Sequence, residues 1–216
     1  MLLFARFATV ATWRTVCKLI LFCFLSLFYA LKIQWVNRFM GDTAQRCLVS
    51  VDGIDFSIPE PTPWQSIWWS HKFNGPGLRY ELAVCIATGW IVAYNGPFEC
   101  GSWPDLKIFR SLLKALLRSG EKVIADRGYR GDARVVIPDH ARNEEEADVM
   151  NVVRARHETV NGRLKRWKIL KERFRHDKKK HHIVFRAVAV LEQIQIMNGR
   201  PPFQCDVVID PVVRWE

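Results

Sequence analysis

Three acidic residues, Asp52, Asp126 and Glu158, stand in settings from which their carboxylates could share one centre. Asp52 and Asp126 each follow a short apolar run, and a glycine comes one or two positions later. Each aspartate is therefore predicted to end a strand, where α/β sheets present functional groups. Glu158 is the single acid within the cationic segment RARHETVNGRLKRW, residues 154–167. A carboxylate in such a segment could complete a centre with the two aspartates.

Carboxylates that are brought together repel each other unless a cation compensates their charge. Oxygen-only ligands suit Mg²⁺ or Mn²⁺. With two such ions, an Asp-Asp-Glu centre would activate water or a 3′-hydroxyl and stabilise the leaving oxygen in phosphodiester displacement. Helical spacing also places Asn161 and Lys165 on the face of Glu158, where they could meet a metal and a phosphate together.

Each acid also has a structural alternative. An Asp-Gly pair after a strand is a common way to make a turn. Glu158 could instead form an intrahelical ion pair with Arg154 or Lys165. Asp105 is expected in the first turn of a helix, where acids interact favourably with the helix dipole. The carboxylates that compete for the metal role are Asp55, Asp105 and Asp132.

Positive charge is concentrated in one part of the chain. Residues 154–180 carry twelve Lys or Arg against three acids, whereas the whole chain has a formal net charge of +10. This favours an anionic partner, nucleic acid first and an anionic membrane surface second, over a merely solvated helix face. The residues predicted to bind DNA phosphates are Arg163, Lys165, Arg166, Lys168, Arg173, Arg175, Lys178, Lys179 and Lys180.

The hydrophobic pattern predicts an α/β domain over residues 46–205, with the order β-β-β-α-β-β-α-α and helices on the faces of a mixed sheet. The predicted strands are 47–53, 78–89, 90–98, 121–129 and 133–138, and the predicted helices are 104–120, 143 to about 175, and 183–199. A tail, residues 206–216, follows this domain.

Residues 1–45 are predicted to be an apolar, helical N-terminal extension. The uncharged run at residues 19–31 has 13 residues, whereas a membrane-spanning helix needs roughly 20. It could be a buried helix of an incomplete upstream domain, a membrane anchor or a gene-boundary artefact. The six cysteines show no CxxC spacing and are interpreted as reduced thiols in a reducing compartment.

Five segments in sequence resemble the DDE-superfamily endonuclease domain of Harbinger-type transposases. They are VDGIDFSI, SHKFNGPGLRYELAVCIATGWI, GPFECGSWPD, EKVIADRGYRGD and RARHETVNGRLKRWKILKERFRH, and the resemblance covers about residues 46–205. The motif positions of that family fall on Asp52-Gly53, Tyr80, Thr88-Gly89, Gly96-Pro97, Gly101-Ser102, Asp105, Asp126, Gly128, Tyr129, Glu158, Asn161 and Lys165.

The resemblance implies an RNase H-like fold in which Asp52, Asp126 and Glu158 bind divalent metal, with Asn161 and Tyr129 as supporting residues. It also implies DNA as substrate, a nuclear location if the source is eukaryotic, and a separate Myb-like DNA-binding protein as a candidate partner; self-association stays open. The alternative is a domesticated or inactive relative that binds DNA or a partner protein without catalysis. Residues 1–45 do not resemble the helical DNA-binding region that such proteins usually carry.

Overall fold

A mixed sheet of six strands forms the centre of the structure, a computed structural model that describes residues 33–40 and 47–203. Strand β1 pairs antiparallel with β3 on one side and parallel with β5 on the other, and β6 extends the sheet beyond β5. Both β2 and β4 pair antiparallel with β3. The strands are β1 (Cys47–Ser57), β2 (Trp69–Ser70), β3 (Gly75–Cys85), β4 (Ile91–Glu99), β5 (Lys122–Ala125) and β6 (Val135–Val136).

Helices cover the sheet, which confirms the predicted mixed α/β architecture and is consistent with an RNase H-like fold. The helices are α1 (Asp105–Ser111), α2 (Leu113–Leu116), α3 (Glu144–Arg166), α4 (Lys168–Lys171) and α5 (His181–Met197). Two helices that were predicted as continuous are broken. The first breaks at Leu112, which has φ −142° and ψ −65°. The second breaks at Trp167, which is extended with ψ 115°.

Strand β1 is longer than predicted, and this corrects the position of Asp52. The strand was expected to end at residue 53, but it continues to Ser57 because Ile54 and Phe56 alternate onto a buried face and the pairing with β3 persists to Ser57. Asp52 therefore lies in the middle of a strand. Asp126 does follow the last residue of its strand, β5.

The two faces of the sheet bury different clusters. On one face, Ile54 and Phe56 pack with residues of α3, α4 and α5, and the ring of Tyr80 stacks on Phe185 at 3.9 Å between centroids. On the other face, residues such as Val51 pack with Phe109 of α1. Since successive side chains of a strand alternate between faces, Asp52 faces α3 and its neighbours Gly53 and Asp55 face α1. Asp52 is therefore placed to meet an acid of α3, whereas Asp55 lies on the opposite face of the sheet.

Several predictions concern residues outside the described ranges. The apolar run 19–31 and the tail 206–216 are among them, as are Cys17, Cys23 and Cys205. Within residues 33–40 and 47–203, no helix combines the length and hydropathy that crossing a membrane would need. Cys47, Cys85 and Cys100 are free and buried, as predicted for core thiols.

Candidate active site

A small cleft between the sheet and α3 brings the three predicted acids together. Asp52, Asp126 and Glu158 all line it, although Glu158 lies on a helix far along the chain from either aspartate. The cleft has a volume of about 30 Å³, and a water-sized occupant needs roughly 10–15 Å³. The cleft is therefore large enough for a water or a single ion beside the carboxylates.

The register of two parallel strands places Asp52 beside Asp126. Val51 of β1 pairs with Ala125 of β5, so that each aspartate is the next residue on neighbouring strands. The Asp126 carboxylate is fixed by the backbone N–H of Gly128, which donates to Oδ1 at 2.9 Å. The two acids therefore lie at one level of the sheet.

Both oxygens of Asp52 accept hydrogen bonds. The N–H of Gly53 donates to Oδ1 at 2.7 Å, and the side-chain amide of Asn161 donates to Oδ2 at 2.8 Å. Burial raises the pKa of Asp52 above its usual value and the Asp126 charge adds to this, whereas Lys72 and the two hydrogen bonds oppose it. Asn161 follows Glu158 by three residues on α3, so one helix both contributes an acid and orients another.

Glu158 is exposed, and its neighbour His157 is buried against the sheet. Ser50 Oγ and His157 Nδ1 are 2.7 Å apart and share a hydrogen bond. Burial is the main cause that lowers the pKa of His157 to about 4, so its imidazole is neutral at neutral pH. Among the ion pairs of the described residues, none joins Glu158 to Arg154 or Lys165. His157 is not recognisable as a buried residue from the sequence, because a histidine within a cationic segment gives no sign of burial.

The competing carboxylates are engaged elsewhere. Arg79 on β3 binds Asp55 through two bonds, Nε to Oδ1 at 2.7 Å and Nη2 to Oδ2 at 2.9 Å. The same guanidinium reaches Asp105, with Nη1 at 3.1 Å from Oδ1. Asp132 is paired with Arg110 and Lys114. Asp55 therefore belongs to a buried ion pair, and Asp132 pairs with two half-exposed cations, so neither belongs to the cleft.

Asp105 is the competitor that approaches the predicted centre. It begins α1, as expected, and lies between the two glycines that follow the aspartates. A Cβ on Gly53 would come within 2.5 Å of Asp105 Oδ1, and one on Gly128 within 2.8 Å of its Oδ2. Burial raises the pKa of Asp105; Arg79 and Lys72 oppose this shift, and the charges of the cleft aspartates add to it. Both glycines thus permit a close approach of Asp105; Gly53 lies inside β1 and not in a turn, whereas Gly128 also lies in the turn after β5.

Tyr129, predicted as a supporting residue, lies outside the cleft. It is completely buried on the α1 face of the sheet, in the cluster with Phe109. Its near neighbour there is Glu81 of β3, which is also fully buried. Burial raises the pKa of Glu81 to about 9, and the Tyr129 hydroxyl opposes this shift. Glu81 is therefore protonated in the folded protein at neutral pH.

Glu81→Gln is expected to remove a pH-dependent loss of stability. The unfolded chain ionises Glu81 above its ordinary pKa of 4.5, whereas the folded chain keeps the proton up to about pH 9. Rising pH therefore favours the unfolded state across this window, by up to about 1.4 kcal/mol per pH unit. In urea unfolding measured from pH 5 to pH 8, the free energy of unfolding of Glu81→Gln should increase relative to that of the wild type as the pH rises. If the free energies of unfolding of the wild type and of Glu81→Gln change in parallel with pH, Glu81 is not protonated in the folded protein.

The donor set of the cleft fits a hard divalent cation. Asp52, Asp126 and Glu158 offer only oxygen, the ligand type that suits Mg²⁺ or Mn²⁺. Two buried polar atoms beside them, Asn161 Oδ1 and His157 Nε2, have no hydrogen-bond partner in the described part of the chain. Across residues 33–40 and 47–203, no three carboxylate, imidazole or thiol side chains form a ready-made metal site. The fit therefore lies in the chemistry of the donors and in their shared cleft.

The predicted phosphate-binding residues are exposed, with one exception. Arg163 is buried; its Nε donates to Glu192 Oε2 at 2.9 Å and its Nη1 to the carbonyl of Arg200 at 2.6 Å. Its guanidinium is thus committed to holding α3 against α5, which corrects its assignment as a phosphate contact. Lys178 lies with Nζ 3.9 Å from the centroid of the Trp68 ring. The exposed cations are Lys165, Arg166, Lys168, Arg173, Arg175, Lys178, Lys179 and Lys180.

Comparison with known proteins gives one match. A family model described as DDE superfamily endonuclease matches residues 51–193, a span that includes all three acids of the cleft. No curated protein and no solved structure matches the chain.

Proposed function

Because the chain belongs to the DDE endonuclease superfamily, we propose that residues 46–205 form a metal-dependent catalytic domain that cleaves phosphodiester bonds of DNA. The observation that carries this proposal is the convergence of Asp52, Asp126 and Glu158 on one cleft. The same helix that contributes Glu158 continues into exposed cations at its C-terminal end. A polyanionic substrate would thus be attracted to the helix that contributes an acid to the cleft.

Asp52, Asp126 and Glu158 would hold Mg²⁺ or Mn²⁺: the cleft has room for one ion, and a second would bind with the substrate phosphate at the exposed side of Glu158. Such ions would supply activation of the attacking water or 3′-hydroxyl and stabilisation of the leaving oxygen. The chain's own residues prepare the site. Asn161 fixes the orientation of the Asp52 carboxylate, and the N–H of Gly128 fixes that of Asp126. The exposed cations neutralise phosphates and release counterions from the DNA.

We further propose that the domain is the catalytic part of a Harbinger-type transposase that acts in the nucleus, alone or with a Myb-like DNA-binding partner. The order of the five motif segments supports this assignment. The charge of residues 154–180 supports DNA as the partner. Terminal inverted repeats flanking the coding sequence would mark a mobile element directly.

Removal of divalent metal is expected to abolish DNA cleavage. Purified full-length protein should convert supercoiled plasmid to open circles in Mg²⁺ or Mn²⁺, and EDTA should stop the conversion because it removes the ions that would activate the nucleophile and stabilise the leaving oxygen. Gel electrophoresis of the plasmid measures the conversion, and a parallel shift assay in EDTA measures binding. Protein that binds the plasmid but does not nick it in either metal would instead support the inactive, DNA-binding alternative.

A further inference from the structure

A second concavity, much larger than the cleft, lies where α3, α4 and α5 meet the segment that follows α5. Its volume is about 930 Å³, which is in the range of roughly 300–1,000 Å³ for pockets that hold small ligands. We call it the Trp167 groove, after the residue between α3 and α4 that lines it. Other residues that line it are Arg166, Lys168, Glu192, Arg200 and Pro201.

The Trp167 groove is cationic because its one acid is neutralised. Glu192 is buried and accepts hydrogen bonds from Arg163 Nε at 2.9 Å and from the indole Nε1 of Trp167 at 2.6 Å. Within the described ranges, the exposed side chains of Arg166, Lys168 and Arg200 form no ion pair. Three free cations thus border a groove with no free carboxylate of its own, a charge pattern that fits an anion.

Trp167 gives the groove a rigid aromatic wall. The residue is half-buried, its ring packs against the core, and its indole N–H is held by Glu192. Proteins that bind single-stranded nucleic acid combine a cationic groove with aromatic rings on which bases stack. A ring whose orientation is already fixed loses little freedom when a base stacks on it.

The groove and the catalytic cleft are both lined by residues of α3. Glu158 lines the cleft, whereas Thr159, Gly162 and Arg166 of the same helix line the groove. At about 1.5 Å per residue, Arg166 lies about 12 Å along the helix from Glu158. At the rise of about 3.4 Å per nucleotide that a strand has in duplex DNA, this span corresponds to three to four phosphates, and a more extended single strand would place fewer there.

We propose that the Trp167 groove binds a single-stranded segment of the DNA next to the scissile phosphate. A base stacks on Trp167, and the backbone phosphates contact Arg166, Lys168 and Arg200. A duplex keeps its base faces stacked on one another and so cannot use Trp167 in this way. The proposal rests on the proposed DNA-cleaving function, and it assigns the groove to the strand that leaves the cleft.

The test is binding of fluorescent oligo-dT and of a matched duplex hairpin, measured by anisotropy with the full chain in EDTA. Trp167→Leu is expected to weaken oligo-dT binding about tenfold, because stacking of one base contributes about 1–3 kcal/mol. Trp167→Phe, which keeps an aromatic face, should stay within about threefold of the wild type. Affinity for the hairpin should change by less than about twofold in both variants, since stacking is lost only for unpaired bases.

Lys168 and Lys171 provide a matched control at the two ends of α4. Both are exposed, but only Lys168 lines the groove. Lys168→Ala should weaken oligo-dT binding and lower the salt dependence by about 0.7 in the logarithmic slope, and Lys171→Ala should do so clearly less. This comparison holds even if Trp167→Leu, which removes a ring packed on the core, fails to fold.

The proposal would be overturned by an unchanged affinity for oligo-dT in Trp167→Leu, or by equal losses of affinity in Lys168→Ala and Lys171→Ala. An equal loss of oligo-dT and hairpin binding in folded Trp167→Leu would also overturn it, since stacking would then not be involved. Because binding is measured in EDTA, the result does not depend on cleavage. If the protein nicks plasmid but its binding of oligo-dT does not depend on Trp167, only the role of the groove is refuted. If oligo-dT binding depends on Trp167 but the protein never nicks plasmid, only the proposed DNA-cleaving function is refuted.

Discussion

Asp52→Asn is expected to lower the rate of metal-dependent DNA nicking about a thousandfold, with DNA binding in EDTA kept within about threefold. The amide keeps the shape of the side chain but loses the negative charge and one oxygen donor. Metal ions contribute several kcal/mol to such reactions, and about 1.4 kcal/mol corresponds to a tenfold change in rate. Asp126→Asn and Glu158→Gln should each have an effect of similar size. Initial rates of plasmid nicking in Mn²⁺ measure it.

Glu145→Gln is the matched control for Glu158→Gln. Both glutamates are exposed on α3, but Glu145 lies in its first turn and does not line the cleft. Its replacement should leave the nicking rate within about twofold, since most surface substitutions change little. If the two variants lose activity equally, or if Asp52→Asn nicks at the wild-type rate, the assignment of the triad is wrong.

Arg79→Met is expected to destabilise the fold by about 3–5 kcal/mol, because one guanidinium serves two carboxylates beneath the sheet. Asp55 loses both of its bonds to Arg79, and Asp105 loses a contact at 3.1 Å. Arg110→Met is the control: Arg110 pairs with Asp132 at the surface, where an ion pair contributes about 0–1 kcal/mol. Urea unfolding at pH 7 measures both variants.

The effect of Arg79→Met should depend on pH in a defined direction. Burial alone would raise the pKa of Asp55, but hydrogen bonds from Arg79 and Ser70 and the charge of Arg79 lower it overall. A lowered pKa contributes stability above the unfolded value of about 3.9 and loses it as the pH falls through the folded value. The difference in free energy of unfolding between the wild type and Arg79→Met should therefore become smaller below about pH 4. If Arg79→Met and Arg110→Met lower the free energy of unfolding equally, the ion pair of Arg79 with Asp55 is not desolvated.

Much of the fold was predictable because its elements are marked by local patterns. Alternating apolar residues mark the strands, and Asn198-Gly199 follows close on the end of α5. The end of β1 was mistaken because Asp52-Gly53 has the composition of a turn. In the structure, Gly53 serves a contact with Asp105, which lies far along the chain. No local pattern reports such a contact.

The candidate site was predictable only in part, because some of its contacts join residues that lie far apart in the sequence. Helical spacing put Asn161 on the face of Glu158, and the structure shows its amide on Asp52. The two-bond pair of Asp55 with Arg79 depends on the register of β1 against β3, which composition does not determine. In the same way, the commitment of Arg163 to Glu192 depends on how α3 packs on α5. Buried ion pairs of this kind depend on tertiary packing, so the sequence gives no sign that their cations are paired.

The position of Asp52 in the middle of β1 has a mechanical consequence for the cleft. Its strand pairs with β3 at Asp52 itself and with β5 up to Val51, so the backbone at Asp52 is expected to resist local unfolding. Glu158, by contrast, projects from an exposed helix face and has far greater freedom of side-chain movement. The sheet is then the stationary side of the cleft, and α3 is the side that adjusts. Discrimination between cations of different radius would accordingly be decided by how closely Glu158 can approach Asp52.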